Sequence, residues 1–402
     1  MSLVNIPSSS IGLISKMISV VEKSCEKRSI FYFIGLPQSS PRLLIPLAAR
    51  RVQFRAFSLY NPVSIKGKLF KLLGKTAVIT GILNLAGRFF AAPVETFRVT
   101  ENIKPILNNR IINWLQNDWA SALGKIRFTF ALSLGDPNFF RKVTVIFIDD
   151  QAKPIAFSKV GCTSQTKAQI ANEAIALGEV ESLKCQSVVI PLLLGRGETA
   201  NISWILQSPL LSGHLSSNAL QNEHVVFLSE LAQKSVQVIP LDSSDVWKYL
   251  QILLKSPVLP VKAGFESERP FVEQLCTKIN ALHAGDVNKP WPFTIAHGDF
   301  APWNMRLIDG KIALYDWEYF LPLAPAGWDI FYFIFRVENL IKLQSLEQIW
   351  SKIESGAYLE SLELWEKQAG IQVPDRRLLA RFVLISIALD LVPKWICREN
   401  DL

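Results

Sequence analysis

Apolar positions along the chain change their period twice. FTFALSLG (128–135), KVTVIFID (142–149) and PIAFSKVG (154–161) are short β-rich runs joined by Gly-Asp-Pro-Asn and Asp-Asp-Gln. Runs of this kind between turn-forming residues predict strands. From Lys167 to Leu183, Ala, Ile, Leu and Glu fall at helical spacing and predict one helix. SVVIPLLLGRG (187–197) and ANISWILQSPL (200–210) then complete an expected five-stranded sheet with a single helix packed on it. After Gln207-Ser208-Pro209 the pattern turns helical, over Asp245–Lys255, Pro270–His283, Val337–Ile353, Tyr358–Gln368 and Asp375–Trp395.

Upstream of these runs the reading is coarser. Residues 1–29 suggest a lightly packed helix after a Ser-rich start, and residues 30–60 suggest short strands between Gly35, Pro37, Pro41 and Pro46. Residues 62–92 carry Lys66, Lys68, Lys71 and Lys75 among Leu, Phe and Ile at roughly helical spacing. A basic amphipathic helix of this kind can lie on an anionic membrane surface as well as dock on its own protein. Charge follows the same division. Residues 1–125 hold 17 Lys/Arg against 5 Asp/Glu, and the remainder 26 against 30, so the formal charge of +8 belongs to the N-terminal part.

With 49 % hydrophobic and 19 % charged residues, the 402-residue chain is globular and long enough for two or three packed subdomains. The expected plan is α+β: a basic N-terminal extension (1–125), a β-rich lobe (126–208) and a helical lobe (209–402). Five scattered cysteines, with no CxxC or Cys/His spacing, are expected as reduced thiols in a cytoplasmic protein. The longest apolar runs, Thr76–Gly87 and Phe382–Val392, fall short of the roughly 20 residues that span a bilayer. The basic residues are interleaved with aliphatics and accompany no nucleic-acid-binding motif, so nucleic acid is not an expected partner.

The chemistry gathers in TIAHGDFAPWNMRLIDGKIALYDWE, residues 294–318. A short strand (Phe293–Ala296) leads into a polar loop holding His297, Asp299 and Asn304. MRLI and KIALY flank Asp309-Gly310, a two-residue hairpin signal. The second hairpin strand delivers Asp316, with Glu318 two residues on and therefore expected on one face of an extended chain. Two carboxylates and an amide brought together by a turn suit Mg²⁺, a hard cation held by oxygen ligands and substrate phosphates. H-x-D-x-x-x-x-N with a further Asp twelve residues on also has a logic in phosphoryl transfer. One Asp serves the acceptor hydroxyl, while the Asn and the second Asp hold Mg²⁺ on ATP.

The HGDF-x-x-x-N loop and the DWE after it resemble the motif of the aminoglycoside phosphotransferase and choline kinase superfamily, relatives of the protein kinases. The resemblance covers about residues 126–395 and implies a bilobal protein-kinase-like fold. It makes Asp299 the catalytic base and Asn304 a metal and loop-stabilising ligand. Asp316 becomes the principal Mg²⁺ ligand, Glu318 a second metal or substrate contact, and His297 a support for the loop. Asp329, in GWDIFYF, falls where the family often has an Asp that braces this loop.

A kinase-like β-rich lobe needs a strand Lys for the α/β-phosphates and a helix Glu to hold it. Lys159, on the third expected strand, and Glu173, in the following helix, stand in that order. No G-x-G-x-x-G lies between the first two strands, only SLGDPNFFRK. The expected activity is ATP- and Mg²⁺-dependent transfer of the γ-phosphate to a hydroxyl of a small molecule: a sugar, an aminoglycoside-like compound or an aminoalcohol. The aromatics around the site (Trp317, Tyr319, Phe320, Trp328, Phe331, Tyr332, Phe333, Phe335) could line an acceptor pocket, although the FYFIF run has the look of core. The competing expectation is a catalytically silent nucleotide-binding module docked on a membrane or assembly through its basic segment.

Overall fold

In the computed structural model the placed residues are 31–34, 43–46, 48–59, 65–83, 118–119, 121–124, 128–134, 142–210, 213–256, 258–282 and 287–398. The helix expected over 1–29, the turn at 135–138 and residues 84–92 lie outside the described residues. The chain is α+β and divides into two units. One comprises Met1–Ile170 with Leu192–Pro209, the other Ala171–Pro191 with Leu210–Leu402.

The first unit is built on an antiparallel sheet in the order β1-β2-β3-β4-β5-β8-β7. Its strands are β1 (Phe31–Ile34), β2 (Leu43–Pro46), β3 (Thr129–Ser133), β4 (Val143–Ile148), β5 (Pro154–Gly161), β7 (Leu193–Glu198) and β8 (Ser203–Gln207). Five of these are the strands expected from the β-rich runs. The two outermost come from the basic N-terminal part, where β2 pairs with β3. The shift in composition at residue 125 is therefore a shift in surface charge, and the backbone pairing continues across it.

Helix α1 (Arg50–Ala56) shows how that charge is used: Arg51 donates to the Asp150 carbonyl at 3.0 Å and Arg55 to that of Ala152 at 3.3 Å. Both acceptors lie in the β4–β5 turn, so two arginines tie the helix to the sheet. Leu43, Ile45, Val52, Ala56, Phe57, Ile146 and Ile148 form the core beneath it. Helix α2 (Ile65–Thr80) follows within the stretch expected to be helical. In β5 the side chains alternate, with Ala156, Ser158 and Val160 buried and Lys159 half-buried, between its partners Thr144 and Ile205.

Helix α3 (Ser164–Leu183) begins three residues before the expected start. The Thr166 hydroxyl accepts the amide N–H groups of Cys162 and Thr163 at 3.0 Å, and Thr166 N–H donates to the Thr163 hydroxyl. This satisfies orphan donors at the helix start. Residues Ala171–Leu183 of α3 belong to the second unit.

The second unit holds two small sheets. One orders β10 (Gln237–Pro240), β11 (Pro290–Ala296) and β14 (Leu321–Pro325). The other orders β6 (Val188–Val189), β13 (Lys311–Leu314), β12 (Met305–Ile308) and β9 (His214–Leu215). Strands β12 and β13 form the expected hairpin, closed by Asp309 and Gly310 at φ 49° and 74°. Positive φ at both central residues is what a two-residue hairpin turn asks for, and Asp-Gly provides it.

Helices α4 (Asn222–Ser235), α5 (Asp245–Leu254), α6 (Arg269–Asn280), α7 (Trp328–Leu340), α8 (Leu346–Glu354), α9 (Leu359–Ala369), α10 (Arg376–Leu389) and α11 (Leu391–Arg398) complete the unit. The single helix expected over 337–353 is two, because Ser345 caps a new start with Gln348 in a reciprocal capping box. The helix expected over 375–395 is also two, interrupted where Asp390 turns left-handed at φ 54°. Helix α4 was not anticipated. Its Gln221-x-x-His224 start lacks the usual capping residues, yet His224 Nδ1 accepts the Gln221 N–H at 2.8 Å.

Candidate active site

Every side chain described in this subsection, apart from Lys159, belongs to the second unit. Strand β11 ends at Ala296 and the chain turns through His297, Gly298 and Asp299. Gly298 has φ +78°, and a Cβ there would stand 1.9 Å from the Tyr319 carbonyl oxygen. Only glycine allows that approach of two backbones. Below the loop, Asp329 on the first turn of α7 accepts the amide N–H of His297 at 2.6 Å and of Gly298 at 3.1 Å. Its carboxyl is raised to about 7, by burial first and the Asp299 charge last, against the lowering effect of the two amide hydrogen bonds. The geometry is that of a brace under the loop.

His297 is buried and fully engaged. Its Nδ1 accepts from Asp299 N–H at 3.2 Å, which places the proton on Nε2 to meet the Tyr315 carbonyl at 3.2 Å. Its ring centroid lies 4.6 Å from that of Trp317. Both ring nitrogens are thus hydrogen-bonded to backbone, one within the loop and one to the end of the hairpin.

Asp299 is held from two sides. Asn304 Nδ2 donates to its Oδ2 at 2.7 Å and to its backbone carbonyl at 2.9 Å, and the Tyr332 hydroxyl donates to Oδ1 at 2.9 Å. Burial raises the carboxyl above its usual range, the charge of Arg336 lowers it, and that of Asp316 raises it. With two acceptor oxygens around Nδ2, the amide oxygen of Asn304 is the atom left for another partner. The backbone of Asn304 also accepts Tyr315 N–H at 3.1 Å, which ties the loop to the end of the hairpin.

The reason expected for the pairing of Asp316 and Glu318 is not the one observed. The extended chain stops at Leu314. Asp316 adopts the left-handed conformation (φ 72°, ψ 54°), and Trp317–Tyr319 form one turn of 3₁₀ helix. Aspartate tolerates that conformation better than most residues. A turn, and no strand face, therefore brings the two carboxylates together.

Helix α3 adds a third. Asn172 Nδ2 donates to the carbonyls of Glu318 and Phe320, both at 3.0 Å, and so fastens the helix to this turn. The next residue is Glu173, 1 % exposed, and Glu318 is 9 % exposed. One carboxylate oxygen from each of Glu173, Asp316 and Glu318 lies within 4.8 Å of the other two. Hard oxygen donors at this spacing fit a small divalent cation, and Mg²⁺ suits them by charge and ligand type. Lys159 sits in the first unit on β5.

A cleft of about 270 Å³ opens beside Asp299, with Glu318, Tyr319, Tyr332, Arg336, Lys262 and Asp390 among its walls. Most of the aromatics named as candidate pocket walls are core instead: Trp317, Phe320, Trp328, Phe331, Phe333 and Phe335 are at most 1 % exposed. Tyr319 and Tyr332 alone of that set line the cleft. Sequence reasoning passed over Asn172 and Arg336. Nothing marks Asn172 in ANEA. Arg336, however, follows Asp329 and Tyr332 at helical spacing, so three polar groups recur on one face of an otherwise apolar helix.

No family model matches the chain, and no curated protein matches it. Solved structures do. An aminoglycoside phosphotransferase from Streptomyces rimosus, in complex with ADP and streptomycin, is similar over 69 % of this chain and 98 % of its own, at 12 % identity and TM-score 0.42. An aminoglycoside 2'-phosphotransferase in complex with GDP is similar over 72 % of this chain and 99 % of its own, at 13 % identity and TM-score 0.43. A spectinomycin phosphotransferase in complex with ADP and spectinomycin is similar over 66 % of this chain and 82 % of its own, at 13 % identity and TM-score 0.42.

Proposed function

We propose that the chain is a Mg²⁺-dependent phosphotransferase that moves the γ-phosphate of ATP to a hydroxyl of a small molecule. The observation that carries this reading is a carboxylate, Asp299, aligned by Asn304 and Tyr332 at the wall of a cleft, close to the acidic set of Glu173, Asp316 and Glu318.

Asp299 takes the proton of the acceptor hydroxyl as the oxygen bonds to the γ-phosphorus and the bond from that phosphorus to the β–γ bridging oxygen breaks. Its burial suits it to receive a proton, and its two donors fix its direction. Asp316, Glu318 and Glu173 hold the cation, with the amide oxygen of Asn304 as a further ligand. The bound Mg²⁺ supplies charge neutralisation at the phosphates. Lys159 is assigned to the α/β-phosphates, His297 and Asp329 to the shape of the loop.

The test is an ADP-release assay over sugars, aminoalcohols, aminoglycosides and nucleosides with Mg–ATP, using Asp299→Asn as the blank. The variant is expected to lose turnover while still binding Mg–nucleotide. Equal turnover in the variant refutes the assignment of the base. Nucleotide binding with no turnover by the wild-type chain on any acceptor would instead favour the silent module.

A second reading concerns α2, because Leu69, Leu72, Leu73 and Ile79 are each 55–63 % exposed on a helix that also carries Lys68 and Lys75. This favours peripheral contact with an anionic lipid surface. No helix among the described residues is long and apolar enough to cross a membrane. Sedimentation with phosphatidylserine vesicles, lost at high salt and in Leu72→Glu/Leu73→Glu, is the expected result. Binding that ignores both changes removes the reading.

A further inference from the structure

Of the cations on the walls of the cleft beside Asp299, one makes no direct ion pair among the described residues. Its two basic walls are Lys262 and Arg336. Lys262 is already engaged, its Nζ lying 2.7 Å from Asp390 Oδ1. Arg336 has no hydrogen bond or ion pair among the described residues, and its Nε is buried without a partner. Its guanidinium carbon lies over the Trp303 and Tyr332 rings, 5.7 and 5.8 Å from their centroids. Its charge also acts on Asp299, which it lowers.

A guanidinium flanked by two aromatic faces on the wall of a cleft, with no hydrogen bond of its own, suits a planar or tetrahedral oxyanion. Carboxylates and phosphates take two parallel N–H bonds from such a fork. The three carboxylates on the same walls, Asp299, Glu318 and Asp390, are accounted for by proton transfer, the cation set and Lys262.

We propose that Arg336 selects an acceptor carrying an anionic group, a carboxylate or a phosphate ester, alongside the hydroxyl that is phosphorylated. The inference rests on the phosphotransfer reading. It narrows the substrate class from neutral sugars and cationic amines to hydroxy acids and phosphorylated alcohols. Arg336 is then a specificity residue that holds the acceptor so that the hydroxyl faces Asp299.

Calorimetry on the full chain, saturated with Mg²⁺ and a non-hydrolysable ATP analogue, tests binding apart from turnover. The probes are matched pairs: gluconate and glucose 6-phosphate against glucose, and glycerol 3-phosphate against glycerol. At least one anionic member is expected to bind about tenfold or more tighter than its neutral partner, as a charge-assisted pair of hydrogen bonds would give. Arg336→Gln is expected to erase that preference and Arg336→Lys to restore part of it, with analogue binding and the circular-dichroism spectrum confirming a folded variant. Neutral members that bind as tightly as anionic ones, or a preference that survives in Arg336→Gln, overturn the inference. A preference for phosphate members alone, or carboxylate members alone, identifies the source of the oxyanion. An ADP-release assay on the same pairs keeps the two readings apart. Anion preference without turnover supports the arginine site and counts against phosphotransfer, whereas turnover on neutral acceptors alone does the reverse.

Discussion

Two glycines of the second unit share a backbone conformation and differ in their surroundings, so their alanine variants separate strain from obstruction. Gly298 has φ +78° and Gly310 φ +74°. A Cβ at Gly310 meets nothing within 4 Å, whereas a Cβ at Gly298 would stand 1.9 Å from the Tyr319 carbonyl oxygen. Both substitutions carry the left-handed term of about 1–2 kcal/mol. Gly298→Ala adds a backbone clash relieved only by a shift of roughly 1 Å, and overpacking of that kind costs about 1–3 kcal/mol more. The part that must give is the Trp317–Tyr319 turn, which carries Glu318 and is pinned through Asn172. Misplacing the turn that carries a proposed cation ligand by this much is expected to lower kcat about 100-fold. Urea unfolding at fixed pH, read as the change in midpoint at constant slope, measures the first effect, and ADP release measures the second. Gly310→Ala is expected to lose about 1–2 kcal/mol and keep its rate. Equal stability losses in the two variants, or a normal rate in Gly298→Ala, would refute the close approach.

Acid should weaken the fold through His224. Burial holds it down to about 4 while it accepts Gln221 N–H and hydrogen-bonds Ser216. The unfolded chain takes up this proton below about pH 6.5 and the folded chain does not. Stability is therefore present above pH 6.5 and falls by about 3 kcal/mol as the pH drops to about 4. Urea titrations should show that slope, and it should flatten in His224→Gln. Asn172→Leu leaves the carbonyls of Glu318 and Phe320 without their donor, at about 1–3 kcal/mol. It should raise the Mg²⁺ concentration for half-maximal rate with the acceptor KM unchanged, and an unaltered Mg²⁺ dependence would detach Asn172 from the cation. Burial raises the carboxyl of Glu230, but the Ser187 hydroxyl and the amides of Gln186 and Ser187 outweigh it and bring the group to about 2. Glu230→Gln keeps one good acceptor of the two and should cost about 1–3 kcal/mol at pH 7. The cost should shrink as the pH falls from about 4.5 to about 2, because the unfolded chain takes up this proton in that range while the folded carboxylate holds it off until about 2.

Local patterns were legible where one residue type answers one geometric demand. Asp309-Gly310 announced the hairpin because both turn positions need positive φ. The β-rich runs announced five strands because turn-forming residues bound the first three and apolar residues fill them. The polar spacing from His297 to Glu318 was legible as a set, although the mechanism inferred for its last two members, an extended strand, was wrong. A left-handed Asp316 leaves no mark in YDWE. Long-range facts were opaque for the same physical reason. Asn172 reaches its carbonyl partners through tertiary packing, and no periodicity encodes which asparagine will do so. The strands β1 and β2 fall in the stretch read as short strands, but their joining the sheet through β3 was not legible, because no local pattern encodes a pairing across some 90 residues. The face formed by Asp329, Tyr332 and Arg336 was readable in principle but masked by the aromatic residues between them.

The fastening of α3 to the DWE turn joins residues 146 positions apart. The second unit is thus discontinuous: it borrows Ala171–Pro191 from a stretch whose neighbours on either side belong elsewhere. At about 5–20 residues per second, a ribosome would need roughly 7–30 s to deliver the turn after the helix has emerged. For that interval Asn172 lacks its two carbonyl acceptors and β6 lacks β13. Residues 210–402 made alone would lack one carboxylate of the cation set and would leave the edge of β13 uncovered, open to pairing with a second chain. The unit cannot be transplanted as a fragment, and its assembly must wait for the chain to return.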